Sequence, residues 1–251
     1  MAIDGDVCVA CGACVEVCGF GVLELGNGAA VLAHAERCIG CTQCTAVCPT
    51  RAVHAVARRA TQPAPVPADD FVEPPFVPLA ALARHVAARR SVRRFEPAPP
   101  PRAALDAVLE AARYAPTARN RRTVRYAVVA APAHVQRLRE LCAPACAAPR
   151  LLMPAPCVLL VLSTSPDPED ALIAATTVDL LAPAAGLACV FAGIVRRCIE
   201  GREDVRRFLR DECGVVGIGA GRPQVLNIGV PVPEPQWLRP VVREPAPIQW
   251  V

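Results

Sequence analysis

Two cysteine runs near the start of the chain carry its clearest chemistry. One reads CVACGACVEVCG over residues 8–19, and the other reads CIGCTQCTAVCPT over residues 38–50. Both have the spacing C-x2-C-x2-C-x3-C, by which a tight loop of thiolates holds a cubane iron–sulfur cluster. Where two such runs occur together, the fourth ligand of each cluster comes from the other run. The spacing therefore predicts two [4Fe–4S] clusters.

Each cluster takes three cysteines from one run and one from the other. The first set is Cys8, Cys11, Cys14 and Cys48. The second set is Cys38, Cys41, Cys44 and Cys18. A zinc site is the alternative, although zinc is usually bound by paired C-x2-C motifs rather than by such triplets. Gly19 stands where a proline usually follows the fourth cysteine, and this departure affects only the turn.

Six further cysteines lie outside the two runs. They are Cys142, Cys146, Cys157, Cys189, Cys198 and Cys213. Cys142 and Cys146 have helical i, i+4 spacing, so a redox pair is one interpretation. Because buried free thiols behave as small apolar side chains, we expect structural packing for all six.

Composition excludes several classes of function. All 27 basic residues among the 251 are arginine, so a lysine Schiff base and a P-loop are both impossible. The net charge of +4 does not indicate nucleic-acid binding. The longest uncharged apolar run, residues 180–195, is short for a membrane span and contains Pro183. The acidic start MAIDGDVCVACG lacks the basic region of a signal peptide, and we expect a cytoplasmic protein.

The chain is expected to form two domains joined by a linker. Residues 1–60 contain an internal repeat, in which each cysteine run precedes a short apolar strand, FGVLEL or AVHAVA. Residues 61–78 are rich in proline, which predicts an extended linker. Residues 79–251 are long enough for the larger domain.

The larger domain mixes helical and strand patterns. Apolar spacing predicts helices over residues 79–90, 102–115, 169–188 and 202–212, and a kink at Pro183 is expected in the third. Strands are predicted over residues 124–130, 157–163 and 223–230. The elements do not alternate as a clean βαβ repeat, which predicts an α+β fold. The glycine-rich stretch 214–223 lacks dinucleotide-binding spacing and is predicted to be a turn.

Four stretches of the larger domain suggest a flat, phosphorylated ligand. They read ARRSVRRF (88–95), EAARYAPTARNRR (110–122), AAGLACVFAGIV (184–195) and LRPVVREPAPIQW (238–250). Arginine forks suit phosphates and the carbonyl edge of a flavin, and small residues let the backbone approach a flat ring. In this order the stretches resemble the nitroreductase family of FMN enzymes. With the cysteine runs, the whole chain resembles the ferredoxin–nitroreductase fusions of that family.

This resemblance implies an α+β fold, an obligate homodimer and FMN at the dimer interface. It implies flavin contacts by the residues that match the R-x-S-x-R/K motif, namely Arg89, Arg90, Ser91 and Arg93. It implies contacts from the partner subunit by Pro116, Thr117 and Asn120. It places the Gly193 backbone N–H at flavin N5, and Arg239 and Arg243 near the phosphate.

The chain departs from the family pattern in two places. Residues Arg121–Val124 replace the frequent x-Q-P-W that follows the asparagine, which would alter the substrate cavity. The family's G-L-G becomes Gly186-Leu187-Ala188, which could crowd a helix end.

Three functional hypotheses follow. In the first, an external low-potential donor such as a ferredoxin reduces the clusters, and FMN reduces a small organic acceptor: a nitro compound, a quinone or an activated double bond. In the second, an FMN dehydrogenase exports electrons in the opposite direction. In the third, the protein is a non-catalytic redox carrier or sensor. The first is favoured because flavin converts single electrons into hydride chemistry.

Overall fold

The chain divides into two compact units in the computed structural model, which describes residues 1–54, 77–146, 155–165, 169–219, 221–232 and 247–249. The smaller unit contains residues 1–54 and also Thr117–Arg122. The larger unit contains the described residues 77–116 and those from Thr123 onwards. Most of the predicted linker, residues 61–76, lies outside the described residues, as does the predicted strand AVHAVA beyond His54.

The smaller unit is built from two short antiparallel strand pairs and two single-turn helices. Its elements are β1 (Ala2–Ile3), α1 (Ala13–Glu16), β2 (Leu23–Leu25), β3 (Ala30–Leu32), α2 (Gln43–Ala46) and β4 (Val53–His54). Strand β1 pairs with β4, and β2 pairs with β3. The helices α1 and α2 occupy equivalent places in the two cysteine runs, so the sequence repeat is also a structural repeat.

Thiols make up much of the core of this unit. Cys14, Cys44 and Cys48 are buried together with a few aliphatic side chains, among them Val22 and Val53. A unit this small buries little apolar surface on folding. Ligand binding to its cysteines would therefore supply a large share of its folding free energy.

The larger unit has one four-stranded antiparallel sheet. Its helices are α3 (Leu79–Ala88), α4 (Arg102–Ala112), α5 (Pro132–Cys142), α6 (Glu169–Leu181), α7 (Gly193–Gly201) and α8 (Glu203–Arg207). Its strands are β5 (Val124–Val129), β6 (Cys157–Ser163), β7 (Ala188–Phe191) and β8 (Gln224–Gly229). The strand order is β5-β6-β8-β7, and every neighbouring pair is antiparallel. The predicted α+β class is confirmed.

Strand β6 is buried on both faces and divides the core into two layers. Cys157, Leu159 and Val161 pack against α4 and α6. The alternate residues, among them Val158 and Leu160, pack against α5, α7 and α8. Since successive strand residues point to opposite faces, a continuous apolar run is what such a doubly covered strand requires.

The predicted helix over residues 169–188 is shorter than expected. Helix α6 begins with the acidic pair Glu169 and Asp170, which favours a helix N-terminus, and it ends at Leu181. A 3-10 turn over Ala182–Ala185 follows, because Pro183 lacks the N–H that would continue the helix. Gly186 then adopts φ 71° and ends this turn just before β7. The apolar pattern of the sequence did not predict this strand. None of the described helices is long and apolar enough to cross a bilayer.

Other predictions in the larger unit also change in detail. The predicted helix over residues 202–212 is α8 followed by a π-helical turn over Phe208–Glu212. Cys142 ends α5, and Cys146 lies beyond a 3-10 turn, so the expected i, i+4 pair does not share one helix. The buried neighbour of Cys142 is Cys198, and burial followed by interaction with that thiol raises the pKa of Cys142. The stretch 214–219 is a turn, as predicted, with positive φ at Gly214 and Gly217.

An ion pair and a hydrogen bond fasten α3 to α6. The Arg89 guanidinium lies 3.2 Å from Asp179 Oδ2, and the Asp179 side chain is only 6% exposed. The Cys189 thiol donates to Oδ1 of the same carboxylate at 3.4 Å. One turn earlier on α3, His85 Nε2 is 2.6 Å from the Leu180 carbonyl oxygen. Burial raises the pKa of Asp179, and Arg89 opposes that shift.

Removing Arg89 should therefore destabilise the larger unit in a pH-dependent way. The Arg89→Ala substitution leaves a buried carboxylate without its cation, and we expect a loss of about 2 kcal/mol in the free energy of unfolding near neutral pH, since the pair is partly open to solvent. The folded pKa of Asp179 lies above its unfolded value. Ionisation of Asp179 therefore lowers the free energy of unfolding. This loss is absent below the unfolded pKa and grows as pH rises through the folded pKa. Urea unfolding followed by circular dichroism at acid and neutral pH measures the deficit.

Arg84→Ala is the matched control, because Arg84 is an exposed arginine on the same helix. It should change stability by less than about 0.5 kcal/mol at either pH. An Arg89→Ala deficit that stays constant with pH would contradict the assigned role of Asp179.

Candidate functional site

The first cysteine set lines a single pocket of the smaller unit. Cys8, Cys11, Cys14 and Cys48 all face it, together with Thr50. The intervening loop contains Ala10 and Gly12, whose φ angles of 52° and 79° curl the backbone around the pocket. Three ligands from one run and one from the other is the set that the spacing predicts.

Hydrogen-bond donors surround the sulfur atoms. The Ala30 N–H lies 3.4 Å from Cys8 Sγ, and the Val22 N–H lies 3.4 Å from Cys18 Sγ. Burial raises the pKa of Cys48, but hydrogen bonds from the Val53 N–H, the Thr50 hydroxyl and neighbouring backbone N–H groups outweigh it, so that its pKa is lowered. Donors of this kind favour thiolates over thiols, and thiolates are the form that binds metals.

Electrostatic interactions occur between thiols of the two cysteine runs. The pKa of Cys14 is raised by burial and, to a lesser extent, by Cys48 and Cys11. The pKa of Cys44 is raised by burial and also by Cys41 and Cys18. Each of these buried thiols thus interacts with one cysteine of its own run and one of the other. Within the described residues, however, no group of three or more His, Cys, Asp or Glu side chains meets the geometry for one metal ion.

The larger unit contains a separate cavity of about 190 Å³. It opens on the face of the sheet that α5 and α7 cover. Its lining includes Arg93, Leu138 and Val158, the end of β7 from Val190, the first turn of α7 from Gly193, and Asn227 of β8. The cavity therefore has an apolar wall and a polar rim.

The described charged residues of this cavity are all cationic. Arg93, Arg139 and Arg197 line it, and the described lining residues include no carboxylate and no histidine. The first N–H groups of α7 have no acceptor within the helix, and a helix N-terminus carries partial positive charge. The cavity is consequently suited to an anionic ligand with an apolar portion, such as a phosphorylated aromatic cofactor.

Of the residues predicted from the sequence to contact flavin, the structure brings two together in this cavity and gives others different contacts. Arg93 and Gly193 share the cavity, although about one hundred positions separate them. Arg93 also donates to the Ser91 carbonyl oxygen at 3.3 Å. Arg89 pairs with Asp179, and neither Arg90 nor the Ser91 side chain is among the described lining residues.

The residues predicted to contact flavin from the partner subunit are not among the described lining residues of this cavity. Thr117 and Asn120 belong to the smaller unit, where the Asn120 amide donates to the Cys41 carbonyl oxygen at 3.0 Å. Pro116 is the last residue of the larger unit before that segment. Arg239 and Arg243 lie outside the described residues.

Three residues of the cavity were missed by the sequence analysis. Asn227 is a polar residue inside the apolar run VLNIG, and a buried amide in such a strand is a usable signal. Arg197 lies one helical turn after Gly193, so the start of α7 implied its position. Arg139 is one of several arginines on α5 or near it, and nothing in its sequence context distinguishes it.

Comparison with known families gives matches to both units. A 4Fe-4S dicluster domain model matches residues 7–53. The Nitroreductase family model matches residues 86–150. The two matches do not overlap, and each includes residues singled out above.

Curated relatives match the N-terminal part of the chain. Ferredoxin-3 of Nostoc sp. is 36% identical over 66 residues, which cover 19% of this chain and 68% of that protein. A ferredoxin of Pyrobaculum islandicum is 40% identical over 53 residues, which cover 21% of this chain and 50% of that protein.

Solved structures match the larger unit. A nitroreductase with bound FMN from Bacteroides fragilis aligns with a TM-score of 0.55 and 20% identity, covering 68% of this chain and 98% of that one. A nitroreductase with bound FMN from Desulfitobacterium hafniense aligns with a TM-score of 0.53 and 24% identity, and the alignment covers 68% of this chain and 97% of that one. At these identities the likeness shows the fold alone. Over its N-terminal residues the chain belongs to the ferredoxin family, and as a whole it is a fusion of a 4Fe-4S dicluster ferredoxin domain with a nitroreductase-family domain.

Proposed function

We propose that this protein is a ferredoxin-coupled, FMN-dependent oxidoreductase that reduces a small organic acceptor. The observation that carries the proposal is the meeting of Arg93 and Gly193 in one cationic cavity of a nitroreductase fold. The ferredoxin domain in the same chain supplies a route for electrons to that fold. When bound, [4Fe–4S] clusters pass single electrons, and flavin converts single electrons into hydride equivalents.

The residues that would hold the cofactors follow from the two sites. Cys8, Cys11, Cys14 and Cys48 would hold one cluster, and Cys38, Cys41, Cys44 and Cys18 the other. In the larger unit, Arg93, Arg139 and Arg197 offer guanidinium donors to the phosphate or to the electron-rich edge of FMN. The start of α7 presents backbone N–H groups, and Val158 and Val190 exclude water from the apolar side. No proton donor is assigned.

We further propose that the site is completed by a second copy of the chain. The cavity of about 190 Å³ in one chain is smaller than the roughly 300–1,000 Å³ of typical cofactor pockets. Helix α3 buries none of its side chains, and Leu79, Leu82 and Val86 expose 80%, 48% and 48% of their surface on one face. A contiguous apolar face on an exposed helix is typical of a surface that a partner covers.

The alternatives keep the same parts. In the reverse direction, the protein would oxidise an organic substrate and export electrons through the ferredoxin domain. As a carrier or sensor, it would turn over no acceptor. Positive charge in the cavity stabilises the anionic reduced flavin whichever way the electrons flow, so the kinetic experiments below distinguish the directions.

Cofactor content is the first prediction of the proposed function. Anaerobically purified protein should contain about eight iron, about eight sulfide and about one FMN per chain. Arg93→Ala should weaken FMN binding by about 10- to 100-fold, since a charged hydrogen bond contributes roughly 1.5–3 kcal/mol, and should leave iron unchanged. Arg94→Ala is the control, because Arg94 is an exposed arginine beside Arg93 that is not among the described lining residues. Equal flavin loss in both variants would remove Arg93 from the site.

Turnover is the second prediction. With reduced ferredoxin as donor and a nitroaromatic, a quinone or an activated alkene as acceptor, the wild-type protein should oxidise the donor catalytically. Cys48→Ser should abolish most of this rate while FMN remains bound, because it removes a cluster ligand and leaves the larger unit intact.

Stopped-flow mixing of the protein with candidate organic reductants, in the absence of ferredoxin, distinguishes the two directions of electron flow. Flavin that becomes reduced in that mixture supports the reverse direction. No turnover of any acceptor supports the carrier.

Oligomeric state is the third prediction. Leu82→Glu places a charge on the apolar face of α3 and should shift a dimer to monomer in light-scattering measurements, with loss of FMN. Arg84→Glu alters charge at an exposed position of the same helix and should leave the dimer intact. A Leu82→Glu protein that stays dimeric and retains FMN would exclude this face from the interface.

A further inference from the structure

The segment Thr117–Arg122 is part of the iron–sulfur unit, although it lies far along the chain from the cysteine runs. Its backbone has positive φ at Arg119, Asn120 and Arg122, with values of 52°, 50° and 52°. Non-glycine residues adopt this conformation at a cost, and they keep it where surrounding contacts compensate. The contacts of this segment therefore show what holds it.

These contacts converge on the second cysteine loop. Asn120 Nδ2 donates to the Cys41 carbonyl oxygen at 3.0 Å, and Arg122 donates to the Thr42 hydroxyl at 3.3 Å. The Thr42 hydroxyl donates to the same Cys41 carbonyl oxygen at 2.6 Å. Two donors thus act on the carbonyl of a predicted cluster ligand, and a guanidinium supports one of them.

The first cysteine loop provides an internal comparison. Gly12 occupies the place in the first run that Thr42 occupies in the second, and both have positive φ, 79° and 64°. Glycine has no side chain to hydrogen-bond, whereas the β-branched threonine accepts an unfavourable conformation in which its hydroxyl links Cys41 to Arg122. The two loops share the same cysteine spacing, but only the second has a side-chain hydroxyl at this position to form these hydrogen bonds.

Both ends of the segment continue into the larger unit. Pro116 precedes it, and Thr123 follows it. Thr123 is buried, and its hydroxyl lies 3.0 Å from Ser163 Oγ and donates to Asp170 at 3.3 Å. The residue that follows the segment is therefore held by buried side-chain contacts of the larger unit.

We propose that Asn120 and Arg122 are positioning residues for the second cluster, and that they set the reduction potential of the cluster bound by Cys38, Cys41, Cys44 and Cys18. The proposal rests on the proposed function, since it requires that the clusters are bound. Donor groups and positive charge close to a cluster stabilise its reduced, more negative state, and the donors to the Cys41 carbonyl oxygen also hold the loop that presents the Cys41 thiolate. Loss of either donor should shift the potential of this cluster to more negative values and leave the other cluster unchanged.

The proposal gives Asn120 a role that differs from the flavin contact implied by the family resemblance. A flavin ligand and a cluster-positioning residue have separate readouts. The first changes the FMN content of the protein, whereas the second changes one reduction potential at constant FMN content. The two can therefore be distinguished in one protein.

The test is a redox titration of the full-length protein, followed by electron paramagnetic resonance. Asn120→Gly removes the amide but tolerates the positive φ, so it avoids added backbone strain. Thr42→Gly copies the first loop and marks which titration step belongs to the second cluster. Arg119→Gly, at an exposed neighbouring position with positive φ, is the control. We expect Asn120→Gly and Thr42→Gly to shift the same step negatively, with FMN per chain unchanged, and Arg119→Gly to shift neither.

Other outcomes overturn the proposal. Loss of FMN from Asn120→Gly with both steps unchanged would make Asn120 a flavin ligand and leave the proposed function standing. Unchanged potentials and unchanged FMN would show that the hydrogen bond to Cys41 has no redox consequence. A wild-type protein without iron would instead reject the proposed function, and this inference with it.

Discussion

The larger unit depends on a strand that has no solvent-facing side. Every residue of β6 is buried, so helices must cover both faces of the sheet. On one face α4 and α6 form the cover, with alanines that allow α6 to approach closely. On the other face α5, α7 and α8 share the task, and the space between α5 and the start of α7 is the cationic cavity. The site is thus a consequence of how the second face is covered.

Charge inside this unit is used in two distinct ways. Arg89 is directed inwards, where it compensates the buried Asp179 and joins two helices. Arg93, only four residues later, lines the cavity. The same residue type therefore has a structural role at one position and is available to a ligand at the next. The motif ARRSVRRF could not distinguish these roles, because the difference lies in Asp179, some ninety positions away.

Local features of the sequence predicted local features of the structure well. Cysteine spacing identified the iron–sulfur unit, and the apolar run CVLLVLS identified β6 with its observed ends. The misses come from long-range interactions or from short elements. Strand β7 has only four residues, and its pattern merged with the preceding helix. Asn227 and Arg139 reach the cavity through tertiary packing, which local periodicity does not report. The membership of Asn120 in the smaller unit required a contact across 79 positions.

The segment Thr117–Arg122 also bears on how such a fusion arises and how it can be divided. An N-terminal ferredoxin domain suggests a module that could be added to an enzyme, or cut from it, at one point in the chain. Here the compact unit is discontinuous, because part of it lies between α4 and β5. A cut in the linker would leave the ferredoxin part without the donors to Cys41 and Thr42. A ferredoxin domain exchanged from another protein would need a second cysteine loop that offers this segment the same hydrogen-bond acceptors.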